Sequence, residues 1–234
     1  MDAPIVYVAI TQSLVEELEL ERQLARLAAV ARVERWDAPG NPTPAAVADA
    51  LGRAQVLITG WGTPALSALN TWTPADFAVR LVAHTAGTVK QLVPVAAIER
   101  GLLVTHANDS LAEAVAEFTL GAIVMARRNA FVAAARMRAG RERLPVAAQH
   151  EVRGSTIGII GASAIGRRVM KLLAPLDATL LLYDPYCTPE VAAQHNATLV
   201  GLRELLSSSE IVSLHAPITL DTIGMLGAAE FAAM

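Results

Sequence analysis

The sequence of 234 residues is 53% hydrophobic and carries a formal net charge of −3, which is typical of a globular protein with a sizeable core. Its charges are scattered along the chain and no apolar run approaches the roughly 18 residues of a membrane span, so we expect neither nucleic acid nor a membrane as a partner. Because a single cysteine excludes an internal disulfide and no basic segment precedes an apolar one at the N-terminus, we expect a cytoplasmic protein without a secretion signal.

Over the first hundred residues, short apolar runs alternate with polar-faced helical segments, which is the pattern of βαβ units. We predict a helix over residues 14–30, and strands at residues 5–10, 56–59, 80–83 and 102–105. Turn signals rich in glycine and proline fall at residues 38–42 and 60–64. The sequence therefore predicts an α/β domain with a parallel sheet over residues 1–104.

A long helical segment follows, with Asp109 or Ser110 as its N-cap and with room for a break before Met137. A second βα series comes after it, with predicted strands at residues 156–160, 179–183, 198–200 and 211–214 and helices at residues 165–173 and 202–207. We assign this series, together with the long helix, to a second α/β domain over residues 105–234.

One stretch of the second domain, T-I-G-I-I-G-A-S-A-I-G-R-R-V, is a predicted strand that turns into a helix around glycines. In a dinucleotide-binding loop, Gly161 would permit the tight turn and Gly166 the close packing of helix on strand. The N–H groups of Ala164 and Ile165 would face a phosphate, with the helix dipole behind them. Ser163 stands where such loops usually have a second glycine, and its hydroxyl can hydrogen-bond a phosphate. Taken alone, the stretch fits an ordinary structural turn equally well.

The next predicted strand ends in L-Y-D, which places Asp184 about 20 residues beyond the glycine loop. A carboxylate in this place can accept a hydrogen bond from a ribose 2′-hydroxyl. It would repel a 2′-phosphate, and no arginine follows it directly. The loop and Asp184 together favour a dinucleotide site, and NAD over NADP.

Two other interpretations of the loop fail on spacing. A nucleophile elbow needs glycine two residues after the serine, where this chain has Ile165. A P-loop ends in Gly-Lys-Ser/Thr, whereas Gly166 is followed by Arg167. A methyltransferase that binds S-adenosylmethionine through a similar loop remains an alternative.

Four further motifs accompany the glycine loop: H-T-A-G-T-V-K from His84, V-A-E-F-T-L from Val115, L-L-Y-D-P from Leu181 and V-S-L-H-A-P-I-T from Val212. In this order, the motifs resemble those of the D-isomer-specific 2-hydroxyacid dehydrogenases, including the phosphoglycerate dehydrogenase-like members. The resemblance covers nearly the whole chain, with Ser163 as its departure. It implies a flavodoxin-like substrate domain followed by an incomplete Rossmann NAD-binding domain, which is a doubly wound parallel sheet.

The resemblance also implies roles for individual residues. By position, the backbone N–H groups of Gly87 and Thr88 would receive the substrate carboxylate, and Thr119 would reach the cofactor from the interdomain helix. A simple turn and a packed threonine are the alternative interpretations. The expected cofactor-binding residues, besides Thr119, are Gly161, Ser163, Ala164, Ile165, Gly166, Asp184, Pro185, His215, Ala216 and Pro217. No metal ligand is expected.

The implied reaction interconverts a D-2-hydroxy acid and a 2-oxo acid by hydride transfer at NAD. The family's substrate-gripping arginine, its acidic residue and its proton-transfer histidine would match positions beyond Met234, so we expect no catalytic residue in this chain and no turnover by it alone. Alternatives are a non-catalytic NAD(H)-sensing or scaffolding module and, less favoured, the methyltransferase. The resemblance further implies that the complete protein is a homodimer, built largely on residues 111–132.

Overall fold

The computed structural model describes residues 3–234, which form two compact units that meet in the sequence between Asn108 and Asp109. Each unit contains one parallel sheet with helices. The α/β fold class predicted from the sequence is therefore confirmed for both halves of the chain.

The first unit has a parallel sheet of five strands in the order β2-β1-β3-β4-β5, which is the flavodoxin-like order. Its strands are β1 (Ile5–Ala9), β2 (Arg32–Arg35), β3 (Val56–Thr59), β4 (Leu81–His84) and β5 (Leu103–His106). Its helices are α1 (Gln12–Glu17), α2 (Glu21–Leu27), α3 (Pro44–Arg53) and α4 (Val95–Glu99), with a 3-10 turn at Ser67–Thr71. The unit extends past the expected boundary at residue 104 because β5 pairs with β4 and completes the sheet.

The prediction of one helix over residues 14–30 is wrong, because the chain forms two helices there. Glu19 adopts a left-handed backbone conformation with φ 52°, which ends α1 and allows the chain to turn into α2. Strand β2 and helices α3 and α4 were not predicted. The sequence of β2, R-V-E-R, has no apolar run because this edge strand is only partly covered.

Alternate side chains of β1 enter two separate cores, one on each face of the sheet. Tyr7 and Ala9 pack in one cluster, which includes the fully buried Trp72. Val8, with Ile10 just after the strand, packs in the other cluster. Burial on both faces fixes the sheet, and with it the loops at the carboxyl ends of its strands.

The second unit has a parallel sheet in the order β8-β7-β6-β9, which corresponds to the order 3-2-1-4 of a doubly wound nucleotide-binding sheet. Its strands are β6 (Thr156–Ile160), β7 (Thr179–Tyr183), β8 (Ala197–Leu199) and β9 (Ile211–Leu214). Its helices are α5 (Asn108–Arg127), α6 (Ala130–Arg138), α7 (Ala164–Leu173), α8 (Pro189–Ala193), α9 (Leu202–Ser208) and α10 (Ala228–Ala232), with 3-10 turns at Val146–Ala148 and Ala174–Leu176. The predicted Rossmann-type fold is confirmed.

The long helical segment is broken at Asn129, whose left-handed conformation (φ 50°) separates α5 from α6. Helix α5 begins at Asn108, slightly before the predicted caps, and packs in the core of the second unit through Ala116 and Ile123. Helix α6, in contrast, has no buried residue among those described. Its Phe131 is exposed together with the apolar residues beside it.

No helix within residues 3–234 is long and apolar enough to cross a membrane. In the same residues, no group of three or more histidine, cysteine, aspartate or glutamate side chains is arranged to hold a metal ion.

Candidate dinucleotide-binding site and substrate loop

Three predicted features lie together at the carboxyl edge of the second sheet. They are the glycine loop after β6, Asp184 after β7 and the segment that begins at His215 after β9. Strands β6, β7 and β9 end at this edge because they pair in parallel. The N–H of Gly161 donates to the carbonyl of Tyr183 at 2.8 Å, and the N–H of His215 donates to that of Ile160 at 2.7 Å. The loops that follow the three strands are therefore held side by side, where ligands bind in open α/β sheets.

Two glycines allow the backbone segments at this edge to approach each other closely. Gly161 has φ +97°, and a Cβ added to it would lie 2.7 Å from the backbone nitrogen of Ala216. A Cβ on Gly166 would lie 2.1 Å from the carbonyl oxygen of Gly161. Any larger residue at either position would push the loop away from the strand ends.

Ser163 is the N-cap of α7, with φ −66° and ψ 177°, a conformation that does not require glycine. Its Oγ accepts a hydrogen bond from the N–H of Gly166 at 3.3 Å. The N–H groups of Ala164 and Ile165 donate to no partner within residues 3–234. These two donors and the positive end of the α7 dipole are suited to an anionic phosphate.

Both carboxylate oxygens of Asp184 accept hydrogen bonds from backbone N–H groups. Oδ2 accepts from Ala162 of the glycine loop, and Oδ1 accepts from Tyr186, each at 2.8 Å. Since each carboxylate oxygen can accept more than one hydrogen bond, a ribose hydroxyl could still donate to Asp184. The side chain thus links the end of β7 to the glycine loop and keeps one orientation.

Arg167 was not among the predicted site residues, yet its side chain folds back onto the glycine loop. Its Nε donates to the carbonyl oxygen of Ala162 at 2.7 Å. The contact depends on the bend of the loop over the first turn of α7, which sequence spacing alone does not define. It brings a positive charge to the loop that Asp184 also holds.

The segment after β9 packs against the glycine loop and carries a half-buried histidine. Ala216 lies under Gly161, and Pro217 is exposed while its carbonyl oxygen accepts a hydrogen bond from Thr222 Oγ1 at 2.6 Å. The Nε2 atom of His215 lies 2.8 Å from Ser213 Oγ. Burial lowers the pKa of His215, which favours the neutral ring.

The roles expected of Pro185 and Thr119 remain predictions. Pro185 is exposed directly after Asp184. Thr119 Oγ1 donates to the carbonyl of Val115, one turn earlier in α5, at 2.7 Å. No hydrogen bond within the described residues joins Thr119 to the glycine loop.

Gly87 and Thr88 lie in the first unit, in the loop that follows β4. The start of this loop is anchored because both the N–H and the Oγ1 of Thr85 donate to the carbonyl of Thr59, at 2.8 and 3.0 Å. Within the described residues, the N–H groups of Gly87 and Thr88 have no hydrogen-bond partner. They are available to a carboxylate, which fits the predicted substrate loop. The anchoring residues Thr59 and Thr85 were not predicted, because their contacts depend on the pairing of β3 with β4.

The second unit fits a dinucleotide on three structural grounds: the turn that only glycine allows, the free N–H groups at the start of α7, and a fixed carboxylate at the end of β7. Ser163 does not disturb this geometry. When bound there, a nicotinamide dinucleotide would supply or accept the hydride.

Comparison with known proteins points to the same cofactor. Residues 120–234 match the family model described as "D-isomer specific 2-hydroxyacid dehydrogenase, NAD binding domain", which indicates NAD as the cofactor. The chain is 34% identical over 140 residues to D-3-phosphoglycerate dehydrogenase of Methanocaldococcus jannaschii, covering 59% of this chain and 27% of that protein. It is 35% identical over 135 residues to glyoxylate reductase of Thermofilum pendens, covering 56% of this chain and 40% of that protein. The match thus spans well under half the length of either relative.

Solved structures show the same fold over almost the whole chain. D-mandelate dehydrogenase of Rhodotorula graminis aligns with a TM-score of 0.77 at 22% identity, over 100% of this chain and 71% of that one. D-lactate dehydrogenase of Escherichia coli aligns with a TM-score of 0.68 at 24% identity, over 99% of this chain and 70% of that one. At these identities the two structures bear on the fold alone. Through the match to the family model, residues 120–234 of the chain belong to the NAD-binding domain of the D-isomer-specific 2-hydroxyacid dehydrogenase family.

Proposed function

We propose that the protein is an NAD-dependent oxidoreductase that interconverts a D-2-hydroxy acid and a 2-oxo acid. The observation that carries the proposal is the hydrogen bond of 2.8 Å between Asp184 and the N–H of Ala162, which joins a ribose-binding carboxylate to a phosphate-binding loop. The names of the relatives, phosphoglycerate dehydrogenase and glyoxylate reductase, support this reaction class.

In this proposal the second unit holds the cofactor. The N–H groups of Ala164 and Ile165 bind the pyrophosphate together with the hydroxyl of Ser163, and the α7 dipole adds to the attraction. Asp184 accepts a hydrogen bond from the adenosine ribose. The segment that begins at His215 lines the adenosine side.

The first unit holds the substrate. The N–H groups of Gly87 and Thr88 bind its carboxylate and so orient the carbon that exchanges the hydride. Thr119, on α5, contacts the cofactor. Acid/base catalysis is assigned to none of these residues.

The Asp184 carboxylate predicts that NADH binds more tightly than NADPH, because a 2′-phosphate would meet a like charge. Fluorescence titration of the 234-residue chain with both dinucleotides tests this. Replacing Asp184 by Asn should reduce the ratio of the NADH affinity to the NADPH affinity by about tenfold or more. Since a loosened loop would weaken both dinucleotides alike, the ratio of the two affinities reports the effect of the charge.

Asp177→Asn is the matched control, because Asp177 is an exposed aspartate of the same unit whose ion pair is with Arg153. It removes the same charge and should leave the ratio unchanged. Equal affinity for NADH and NADPH would contradict the role of Asp184. Thermal stabilisation by S-adenosylmethionine but not by NADH would refute the proposed function.

We further propose a homodimer built on residues 111–132. The support is an exposed apolar face of α5, on which Phe118 is 77% exposed, that continues into α6. A helix of nine residues such as α6 is marginal in water when it buries nothing, so a partner surface would stabilise it.

We propose a cytoplasmic location as well. The single cysteine, Cys187, is a free thiol, which is typical of proteins in a reducing compartment. Cell fractionation with an antibody against the chain tests the location, and recovery from a secreted fraction would contradict it.

A further inference from the structure

His84, the last residue of β4, is almost fully buried, with 9% of its surface exposed. Its Nδ1 lies 3.0 Å from Oγ1 of Thr59, a fully buried residue that is its register partner on β3. The carbonyl of Thr59 also accepts both hydrogen bonds that anchor Thr85. One residue therefore holds both the imidazole and the start of the substrate loop.

The second ring nitrogen of His84 is not used by the protein. Among residues 3–234, Nε2 has no hydrogen-bond partner, and the only enclosed side-chain N or O atom without a partner is Ser209 Oγ. It follows that Nε2 reaches solvent through the small exposed part of the ring. His84 ends β4, and the loop that carries Gly87 and Thr88 begins directly after it.

Burial, with a smaller effect of His106 on β5, lowers the pKa of His84, which favours the neutral ring near pH 7. A neutral imidazole has one N–H, and the hydrogen bond at the other nitrogen decides which one carries it. If the Thr59 hydroxyl donates to Nδ1, the proton is on Nε2. An Nε2 without a proton would present its lone pair to any carboxylate placed there.

We propose that His84 is a further substrate-binding residue, whose Nε2–H, fixed by the Thr59 hydroxyl, donates to the carboxylate of a small 2-oxo acid alongside the N–H groups of Gly87 and Thr88. The inference rests on the proposed function, because it takes this loop to bind the substrate carboxylate. It adds a side-chain donor to a site otherwise made of backbone.

Two substitutions separate substrate binding from a structural role. In His84→Gln the amide nitrogen can take the place of Nε2, whereas in His84→Asn it can take only that of Nδ1. Pyruvate binding by the whole chain is measured by calorimetry, with and without NAD⁺, which allows no turnover. We expect His84→Asn to weaken binding about tenfold, the effect of one hydrogen bond to a charged group, and His84→Gln to recover most of it.

His106→Asn is the matched control, since His106 is the exposed register partner of His84 on β5. It should change pyruvate affinity by less than about twofold. Long-range ¹H–¹⁵N spectra of the histidine rings should show His84 protonated at Nε2, and its resonance should move when pyruvate is added. Circular dichroism of each variant checks that the fold is retained.

The inference is overturned if His84 is protonated at Nδ1, if His84→Asn binds pyruvate as well as the unchanged chain, or if the unchanged chain binds no pyruvate. It is also overturned if Asn preserves binding better than Gln, because a structural role depends on the bond to Thr59. Titration of the same samples with NADH reports the proposed function separately. Failure to bind NADH would contradict that function whatever the pyruvate result.

Discussion

Replacing Gly166 by Ala should destabilise the second unit, although the same change within a helix ordinarily stabilises a protein. In a helix interior, Ala is favoured over Gly by about 0.5 to 1 kcal/mol. At position 166 the new methyl carbon would lie 2.1 Å from the carbonyl oxygen of Gly161. To restore an ordinary contact, that oxygen would have to retreat by more than an ångström.

The oxygen of Gly161 has little room to move. The N–H of Gly161 is bonded to Tyr183, and its Cα faces the backbone of Ala216. Overpacking of this kind costs about 1 to 3 kcal/mol, which exceeds the gain in helix propensity. We therefore expect a net loss of about 1 kcal/mol in the free energy of unfolding of the second unit, together with weaker NADH binding.

Hydrogen exchange is the suitable assay, because Trp36, Trp61 and Trp72 all lie in the first unit and tryptophan fluorescence would not report on the second. Amides of β6 should exchange roughly fivefold faster in the variant, whereas those of the first unit should not change. Gly52→Ala is the matched control: it lies within α3 with nothing near the added carbon, and it should slow exchange in the first unit. If Gly166→Ala slowed exchange in the second unit as Gly52→Ala does in the first, the steric argument would be wrong.

Three further expectations follow from individual side chains. Ser163→Ala removes the N-cap of α7 and should lower the free energy of unfolding of the second unit by about 1 kcal/mol, whereas Ser163→Gly should lower it by only a few tenths. Hydrogen exchange measures both losses, and equal losses would contradict the capping role of Ser163. Burial lowers the pKa of His215 in the folded state, so below the ordinary value of 6.5 the unfolded chain binds more protons. The urea concentration at the midpoint of unfolding should therefore decrease as the pH is lowered from 7 to 5, and it should decrease less steeply in His215→Asn. An identical decrease in the variant and the unchanged chain would refute this expectation. Phe118→Asp should abolish the proposed homodimer in sedimentation at micromolar concentration, whereas Val30→Asp, also at an exposed site, should not; a dimer in both variants would place the interface elsewhere, and a monomer without either substitution would refute the homodimer.

Much of the fold could be predicted because its strands are apolar runs. Strands β6 and β7 lie at the residues expected, since buried parallel strands read as continuous hydrophobic segments. Strand β2 is charged and only partly covered, so it has no hydrophobic run. The sequence around Glu19 gives no indication that this residue adopts a left-handed conformation rather than a helical one.

The site was predictable where a backbone conformation demands a residue type, as at Gly161. It was not predictable where a side chain meets a distant segment. Three contacts depend on how separate loops pack: that of Arg167 with Ala162, those of Asp184 with two backbone N–H groups, and that of Thr85 with Thr59. Neither composition nor spacing carries that information.

The hydrogen bond from Ala162 to Asp184 bears on how cofactor preference could be changed. In many proteins a selectivity switch is sought by exchanging the acidic residue for a small one that admits a 2′-phosphate. Here the same exchange would also release the N–H of Ala162 and loosen the phosphate loop, so selectivity and affinity are coupled through one carboxylate. Conversion to NADP would therefore require a second substitution that holds the loop, and a substitution at position 184 alone should weaken the binding of both dinucleotides.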